Sequence, residues 1–195
     1  KLFWSKASKE LRSIEVLTMA SFLIALAIVL EGVATIIGFR VLDRYVYLSF
    51  IPMAMLGMLF GPIVGISSGF IIDIVGFFVF PSGYPFFPGY TLNTMLTCFV
   101  YGLMLYRTKV SLLRLFIARF IVNTFINAFL GGIWLTMIGV GTGAYLTNIL
   151  AGFIKNMALL PIEVLIMFFF FKAILPVYKD LNVISEDIPT HVPLI

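Results

Sequence analysis

The chain has 195 residues, of which 62% are hydrophobic and 11% are charged, with a mean hydropathy of +1.12 and a formal net charge of +4. A soluble domain has roughly 45–50% apolar and roughly 25% charged residues, so this composition indicates an integral membrane protein. One cysteine and one histidine exclude an intramolecular disulfide and are too few for a Cys/His metal site.

Apolar segments recur along the chain at roughly residues 14–30, 46–60, 62–80, 90–106, 112–138 and 144–175. The second segment has only fifteen residues, fewer than the usual span of about 20. It is separated from the third by "FGPIVG", and a helix normally ends before a proline. We therefore predict an all-α membrane protein with six transmembrane helices, the second and third being antiparallel and joined by a tight turn. One kinked helix in their place, giving five spans, is the alternative.

Lysine and arginine residues predict the orientation of these spans. They cluster before the first segment, between the fourth and fifth, and at the end of the sixth: Lys1, Lys6, Lys9, Arg12, Arg107, Lys109, Arg114, Lys172 and Lys179. With six spans, all three clusters lie on one side, which the positive-inside rule places in the cytoplasm. Both termini are then cytoplasmic. We expect one transmembrane domain over residues 1–179, a polar C-terminal tail over 180–195, and a multi-pass protein of the bacterial plasma membrane.

The outer side then carries the connector 31–45, which includes Glu31, Arg40 and Arg44, and the loop "PSGYPFFPG" at residues 81–89. Prolines hold the aromatic rings of this loop in a stiff arrangement. Two interpretations stay open: an anchor at the membrane interface, or a lid over an external pocket.

Ionisable residues inside spans cost about 2.5–3.5 kcal/mol each on insertion scales, so each needs a physical reason. Four are found here: Asp73, Arg119, Lys155 and Glu163. For Arg119 and Glu163 we expect an ion pair that closes the packed bundle. Asp73 and Lys155 could form a second such pair or could belong to a ligand site.

Polar residues accompany Asp73 and Lys155 towards the outer half of the bundle: Asn93, Thr94, Thr97, Asn123, Asn127, Trp134, Tyr145 and Asn148. Apolar walls with a few placed polar groups are typical of small-molecule pockets. This pattern favours an external ligand site over simple core packing.

Small residues recur at intervals of four. Gly65 and Gly69 predict a stripe on the third segment where another helix backbone approaches closely, and Ser21 and Ala25 form a similar pair on the first segment. The second pair could be internal packing or a docking face for another membrane protein. Walker, "GxSxG" and "HExxH" motifs are absent from the sequence, so we expect neither P-loop nucleotide hydrolysis nor enzymatic activity.

The stretch "SFIPMAMLGMLFGPIVGISSGFIIDIVGFFVFPSGYPFFPGYTLNTMLTCFVYGLMLY", residues 49–106, resembles the substrate-binding S components of energy-coupling factor (ECF) vitamin transporters, in particular the folate-specific family. The resemblance implies a membrane subunit that captures folate from outside and partners a transmembrane coupling protein (T component) and two ABC-type ATPases. It also implies that the chain needs no cofactor of its own, because ATP is used by the partner subunits. Ser21 and Ala25 are then the expected docking residues.

Folate suggests roles for individual side chains. A buried carboxylate matches the N–H donors of a pterin edge, which favours Asp73. Flat aromatic side chains suit the ring, and basic side chains suit the two carboxylates of the glutamate end. The predicted binding residues are Asp73, Phe77, Phe87, Tyr90, Asn93, Trp134, Asn148, Lys155, Arg40 and Arg44. Alternatives are an S component for pantothenate or hydroxymethylpyrimidine, and a membrane assembly protein without a ligand.

Overall fold

The computed structural model describes residues 14–38, 40–41, 44–81, 85–139, 143–180 and 192–193. Its elements, in chain order, are α1 (Ile14–Ile37), β1 (Arg40–Val41), β2 (Arg44–Tyr45), α2 (Phe50–Val79), α3 (Pro88–Leu105), α4 (Leu112–Ile121), a π-helical stretch (Val122–Leu130), α5 (Gly131–Met137) and α6 (Tyr145–Asp180). The two short strands pair antiparallel with each other. The rest of the described architecture is helical.

Four helices are long and apolar enough to cross a membrane: α1, α2, the continuous helix Leu112–Met137, and α6. The prediction of an all-α membrane protein is confirmed at this level. The remaining long helix, α3, has 18 residues and carries Thr91, Asn93, Thr94 and Thr97 in its first turns. Helix α3 can carry these polar side chains because it contacts α2 on one side and the helix 112–137 on another, so that both sides lie within the protein.

Helix α2 is broken at Gly61, whose φ of 83° and ψ of −178° are not helical. The following Pro62 cannot donate a backbone hydrogen bond to the preceding turn. Ser49 Oγ, just before α2, donates to Glu31 Oε1 at 2.9 Å, and the Cβ position of Gly76, near the far end of α2, lies 3.5 Å from Glu31 Oε2. A straight helix would separate residues 49 and 76 by about 40 Å. The chain therefore reverses at Gly61, and the two halves of α2 run side by side.

Glycines allow α2 to pack directly on the backbone of α3. A Cβ atom on Gly65 would lie 2.9 Å from the carbonyl oxygen of Cys98, and one on Gly69 would lie 2.7 Å from the Cα of Met95. No side chain larger than hydrogen fits there without moving one helix. The predicted small-residue stripe is confirmed.

The prediction that Glu31 belongs to an external connector is wrong, because α1 continues to Ile37. Val33, Ile36 and Ile37 extend the apolar character of the helix by two turns. Gly38, with a φ of 71°, then ends α1 in the left-handed conformation that helix C-termini favour.

Two residues of the predicted C-terminal tail are described, and both contact the bundle. Val192 is buried as part of the hydrophobic core, and the carbonyl oxygen of Pro193 accepts a hydrogen bond from the Leu112 backbone at 2.9 Å. The first turn of a helix has N–H groups without intrahelical partners, and Ser111 Oγ satisfies another by accepting from the Arg114 backbone. The remainder of the tail, residues 181–191 and 194–195, lies outside the described residues.

We expect Gly69→Ala to destabilise the bundle, because its methyl group would overlap the backbone of α3. Such overpacking costs about 1–3 kcal/mol. Gly131→Ala is the matched control, since its Cβ would meet only ordinary contacts at 3.7 Å. Melting temperatures of the purified variants in detergent test this. Equal melting temperatures for the two variants would contradict the close approach of α2 and α3.

Candidate ligand-binding site

A buried ion pair lies at the centre of the bundle. Arg119 Nε donates to Glu163 Oε2 at 2.9 Å and Arg119 Nη2 donates to Glu163 Oε1 at 2.7 Å. Arg119 Nη1 also donates to Tyr101 Oη at 3.0 Å, and the guanidinium lies 4.2 Å from the centroid of the Phe50 ring. The predicted pairing of Arg119 with Glu163 is confirmed.

Asparagines continue this polar contact towards the C-terminal half of the helix 112–137. Asn123 Nδ2 donates to Glu163 Oε2 at 2.7 Å, and Asn127 Nδ2 donates to Asn123 Oδ1 at 3.2 Å. Asn123 and Asn156 also exchange side-chain-to-backbone hydrogen bonds, each 3.3 Å long. Asn123 and Asn127 lie in the π-helical stretch, which is a rare conformation found frequently at functional sites.

Further along the same helix, Trp134 forms a compact group with Phe87 and Asn93, which we call the Trp134 cluster. Trp134 Nε1 donates to Asn93 Oδ1 at 3.0 Å, and the Phe87 and Trp134 ring centroids are 5.7 Å apart. Asn93 Nδ2 in turn donates to the carbonyl oxygen of Ile126 at 3.2 Å. Pro88 at the first position of α3 suits a helix start and places Phe87 beside Trp134. The cluster therefore joins α3 to the helix 112–137.

Asn148 and Tyr90 lie close to this cluster. Asn148 Nδ2 donates to Thr136 Oγ1 at 2.9 Å, which joins the start of α6 to α5. The Tyr90 ring centroid is 6.3 Å from that of Phe87. Both predicted residues are thus at the same end of the bundle as Trp134.

Asp73 and Phe77 lie on the other side of α3. The Asp73 carboxylate accepts from Thr91 Oγ1 at 2.6 Å and from Thr94 Oγ1 at 3.4 Å. The Phe77 ring packs edge-on against Phe86, with centroids 5.3 Å apart. Asp73 is half-buried. The structure thus divides the predicted site into two groups, one on each side of the first turns of α3.

The basic residues predicted for the site differ in what the structure describes. Lys155 is half-buried on α6 and interacts electrostatically with Glu163. Arg40 and Arg44 belong to the paired strands, where Arg40 is opposite Tyr45 and Val41 is opposite Arg44; their side chains lie outside the described part. Residues 82–84 of the aromatic loop also lie outside it.

One acidic residue near Asp73, Glu31, was not predicted from the sequence to belong to the site. Glu31 accepts a hydrogen bond from Ser49 and lies close enough to Asp73 for an electrostatic interaction between the two carboxyl groups. Its signal was the continuation "GVATII" after Glu31, which places the carboxylate inside an apolar helix. Among the described residues, no three His, Cys, Asp or Glu side chains group as a metal site would require.

Comparison with known proteins identifies the family of this bundle. The family model of the ECF transporter, substrate-specific component, matches residues 15–178. The chain belongs to this family. It is therefore a multi-pass protein of the cell membrane and a component of a transporter.

The similar proteins within this family include two folate transporters and one solved structure with folic acid. The folate transporter FolT of Clostridium novyi (strain NT) is 30% identical over 165 residues, which cover 81% of this chain and 88% of the relative. FolT of Leuconostoc mesenteroides is 29% identical over 155 residues, covering 77% and 81%. A crystal structure of FolT bound with folic acid superimposes with a TM-score of 0.71 at 26% identity, covering 81% of this chain and 93% of the other.

We expect Glu163→Leu to destabilise the protein strongly, because it leaves the Arg119 guanidinium buried without its counter-ion. Removing one partner of a buried pair costs about 3–5 kcal/mol. The double variant Arg119→Met with Glu163→Leu should recover most of this loss. Unfolding in detergent, measured on the two single variants and the double variant, tests it. A double variant as unstable as Glu163→Leu alone would contradict this account of the pair.

Proposed function

We propose that this chain is the folate-binding S component of an ECF-type ABC importer. The observation that carries the proposal is the likeness to FolT bound with folic acid, which extends over 93% of that chain at a TM-score of 0.71. The named relatives, both folate transporters, support the same ligand. The resemblance carried by residues 49–106 is thus supported by comparisons that cover most of the chain.

A topology of six spans with cytoplasmic termini is part of the proposal. The reversal of α2 at Gly61 supports it, because two half-helices side by side supply the second and third spans. Helix α3 then supplies the fourth span. The excess of Lys and Arg before α1, between α3 and α4, and at the end of α6 supports the orientation.

We place the ligand across the outer end of α3, because the two groups of predicted residues lie on either side of it. The pterin ring lies against the aromatic surface of the Trp134 cluster and Tyr90, since flat apolar rings pack well together. On the other side of α3, Asp73 and Phe77 complete the site. A carboxylate has about four acceptor positions, and Thr91 and Thr94 use two of those of Asp73. The others remain for N–H donors of the ligand.

The glutamate end of folate carries two carboxylates and needs cationic partners. Arg40 and Arg44 lie in the connector between α1 and α2, on the proposed outer side, and are assigned to this end. Lys155 and Asn148 on α6 lie between the mouth and the centre. We assign both side chains to ligand binding because of this position on α6, where Asn148 is buried and Lys155 is half-buried.

The chain works in this proposal without enzymatic activity and without a cofactor of its own. A T component and two ABC ATPases supply the energy, and ATP is bound by those partners. Ser21 and Ala25 are both exposed on α1, and Ser21 Oγ donates back to the Leu17 carbonyl oxygen at 2.8 Å. This leaves a smooth, small-residue surface suited to close approach by another helix.

Purified protein should bind folate, and Trp134→Ala should weaken this binding about 10- to 100-fold. The substitution removes an aromatic surface and also leaves Asn93 Oδ1 without its donor, losses of about 1–3 kcal/mol together. Phe169→Ala is the control, because this α6 side chain is 62% exposed and faces lipid. Isothermal titration calorimetry measures both. A wild-type protein that binds no folate would make the proposed function wrong. Unchanged binding by Trp134→Ala would show only that folate binds elsewhere in the bundle, away from Trp134.

Ala25→Trp should abolish association with the T component while leaving folate affinity within about twofold, because a bulky side chain blocks close helix approach. Ile36→Trp is the control on the same helix, because Ile36 is 75% exposed and lies in the last turn of α1, about three turns from Ala25. Co-purification of the complete transporter and folate titration of the isolated subunit are the two measurements. Equal loss of folate binding and of association would show that Ala25 stabilises the bundle instead.

A further inference from the structure

A directed chain of hydrogen bonds leads from the central ion pair towards the outer half. Arg119 donates to Glu163, Asn123 Nδ2 donates to Glu163 Oε2 at 2.7 Å, and Asn127 Nδ2 donates to Asn123 Oδ1 at 3.2 Å. We call this chain the asparagine relay. Asn123 is fully buried and Asn127 is half-buried.

The ion pair fixes the direction of every bond in the relay. A guanidinium can only donate and an ionised carboxylate can only accept, so Asn123 must turn its NH2 group towards Glu163. Its carbonyl oxygen then points away from the pair. Asn127 must turn its own NH2 group towards that oxygen. The outward end of the relay is therefore the carbonyl oxygen of Asn127, a hydrogen-bond acceptor.

Asn127 faces the interior of the bundle. Phe125 and Phe129, two residues before and after it, are 59% and 50% exposed and lie on the opposite, lipid-facing side of the helix. The partly exposed surface of Asn127 thus opens inwards. It lies between the ion pair and Trp134, which is seven residues further out on the same helix.

We infer that the carbonyl oxygen of Asn127 accepts an N–H of the pterin ring, and that Asn123 is a positioning residue that holds Asn127 in this orientation. This inference rests on the proposed folate-binding function and adds to it a residue that recognises the pterin ring by a hydrogen bond. Because Arg119 can only donate and Glu163 can only accept, the relay that starts from this pair ends in an acceptor, the Asn127 carbonyl oxygen. An acceptor selects a donor-rich ring edge and repels a carboxylate, so the glutamate end does not occupy this position.

The test uses four purified proteins: wild type, Asn127→Ala, Asn123→Ala and the double variant. Folate and pteroate, which is folate without its glutamate, are titrated into each. Asn127→Ala should weaken both ligands by the same factor, about tenfold, because a buried donor of the ring loses its acceptor. Asn123→Ala should weaken both ligands as well, and the double variant should bind no more weakly than Asn127→Ala alone, since the two residues act in series.

Asn156→Ala is the matched control. It removes a hydrogen bond of 3.3 Å to the backbone of Asn123 at the same helix contact, but it lies outside the relay. It should lower the melting temperature about as much as Asn123→Ala while weakening both affinities far less, because the hydrogen bonds from Asn127 to Asn123 and from Asn123 to Glu163 remain.

Several results would overturn the inference without touching the proposed function. These are wild-type folate binding that Asn127→Ala leaves unchanged, a loss confined to folate and not shared by pteroate, or an equal loss of affinity in Asn156→Ala and Asn123→Ala. If Asn123→Ala does not fold, Asn127→Ala with the two ligands still decides whether the acceptor contacts the ring. Absence of folate binding in the wild type would instead make the proposed function wrong.

Discussion

The buried pairing of Arg119 with Glu163 fixes the register of the bundle. A charge in a low-dielectric interior is tolerated only with a well-placed counter-charge, so α4 and α6 cannot slide past each other. The antiparallel contacts on either side follow from that register: Asn123 with Asn156, Gly132 with Ile149, and Thr136 with Asn148. Tyr101 and Phe50 bring α3 and α2 to the same guanidinium. One pair of side chains thus relates four helices to one another.

The glycine contact between α2 and α3 supplies the second constraint. Because Gly65 and Gly69 admit the α3 backbone directly, the first turns of α3 are held between α2 and the helix 112–137. Thr91 and Thr94 then face Asp73, while Asn93 faces Trp134. Two polar groups with different chemistry, one anionic and one neutral and aromatic, arise from neighbouring positions of one helix.

Hydropathy was enough to predict an all-α membrane protein, and the cost of buried charge was enough to predict the pairing of Arg119 with Glu163. The division of the site into an Asp73 group and a Trp134 group could not be predicted. Residues 91 and 94 face one group and residue 93 the other, which depends on the rotation of α3 about its own axis. Glu31 was assigned to a connector because it follows a run long enough to span by itself. The π-helical stretch was not predicted, because the apolar character of residues 112–138 indicated only a continuous helix.

That unusual winding needs support from its surroundings, because sparsely populated backbone conformations persist only where neighbouring contacts over-determine them. The helix 112–137 is held at its start by Ser111 and by the Pro193 carbonyl oxygen. It is held in its first half by Arg119 and near its C-terminal end by Trp134. The π-helical stretch lies between these fixed points, and Asn123 and Asn156 clamp it to α6 from the side. The side chains that it carries are thus placed by the bundle alone, and a ligand meets polar groups whose orientation is already set.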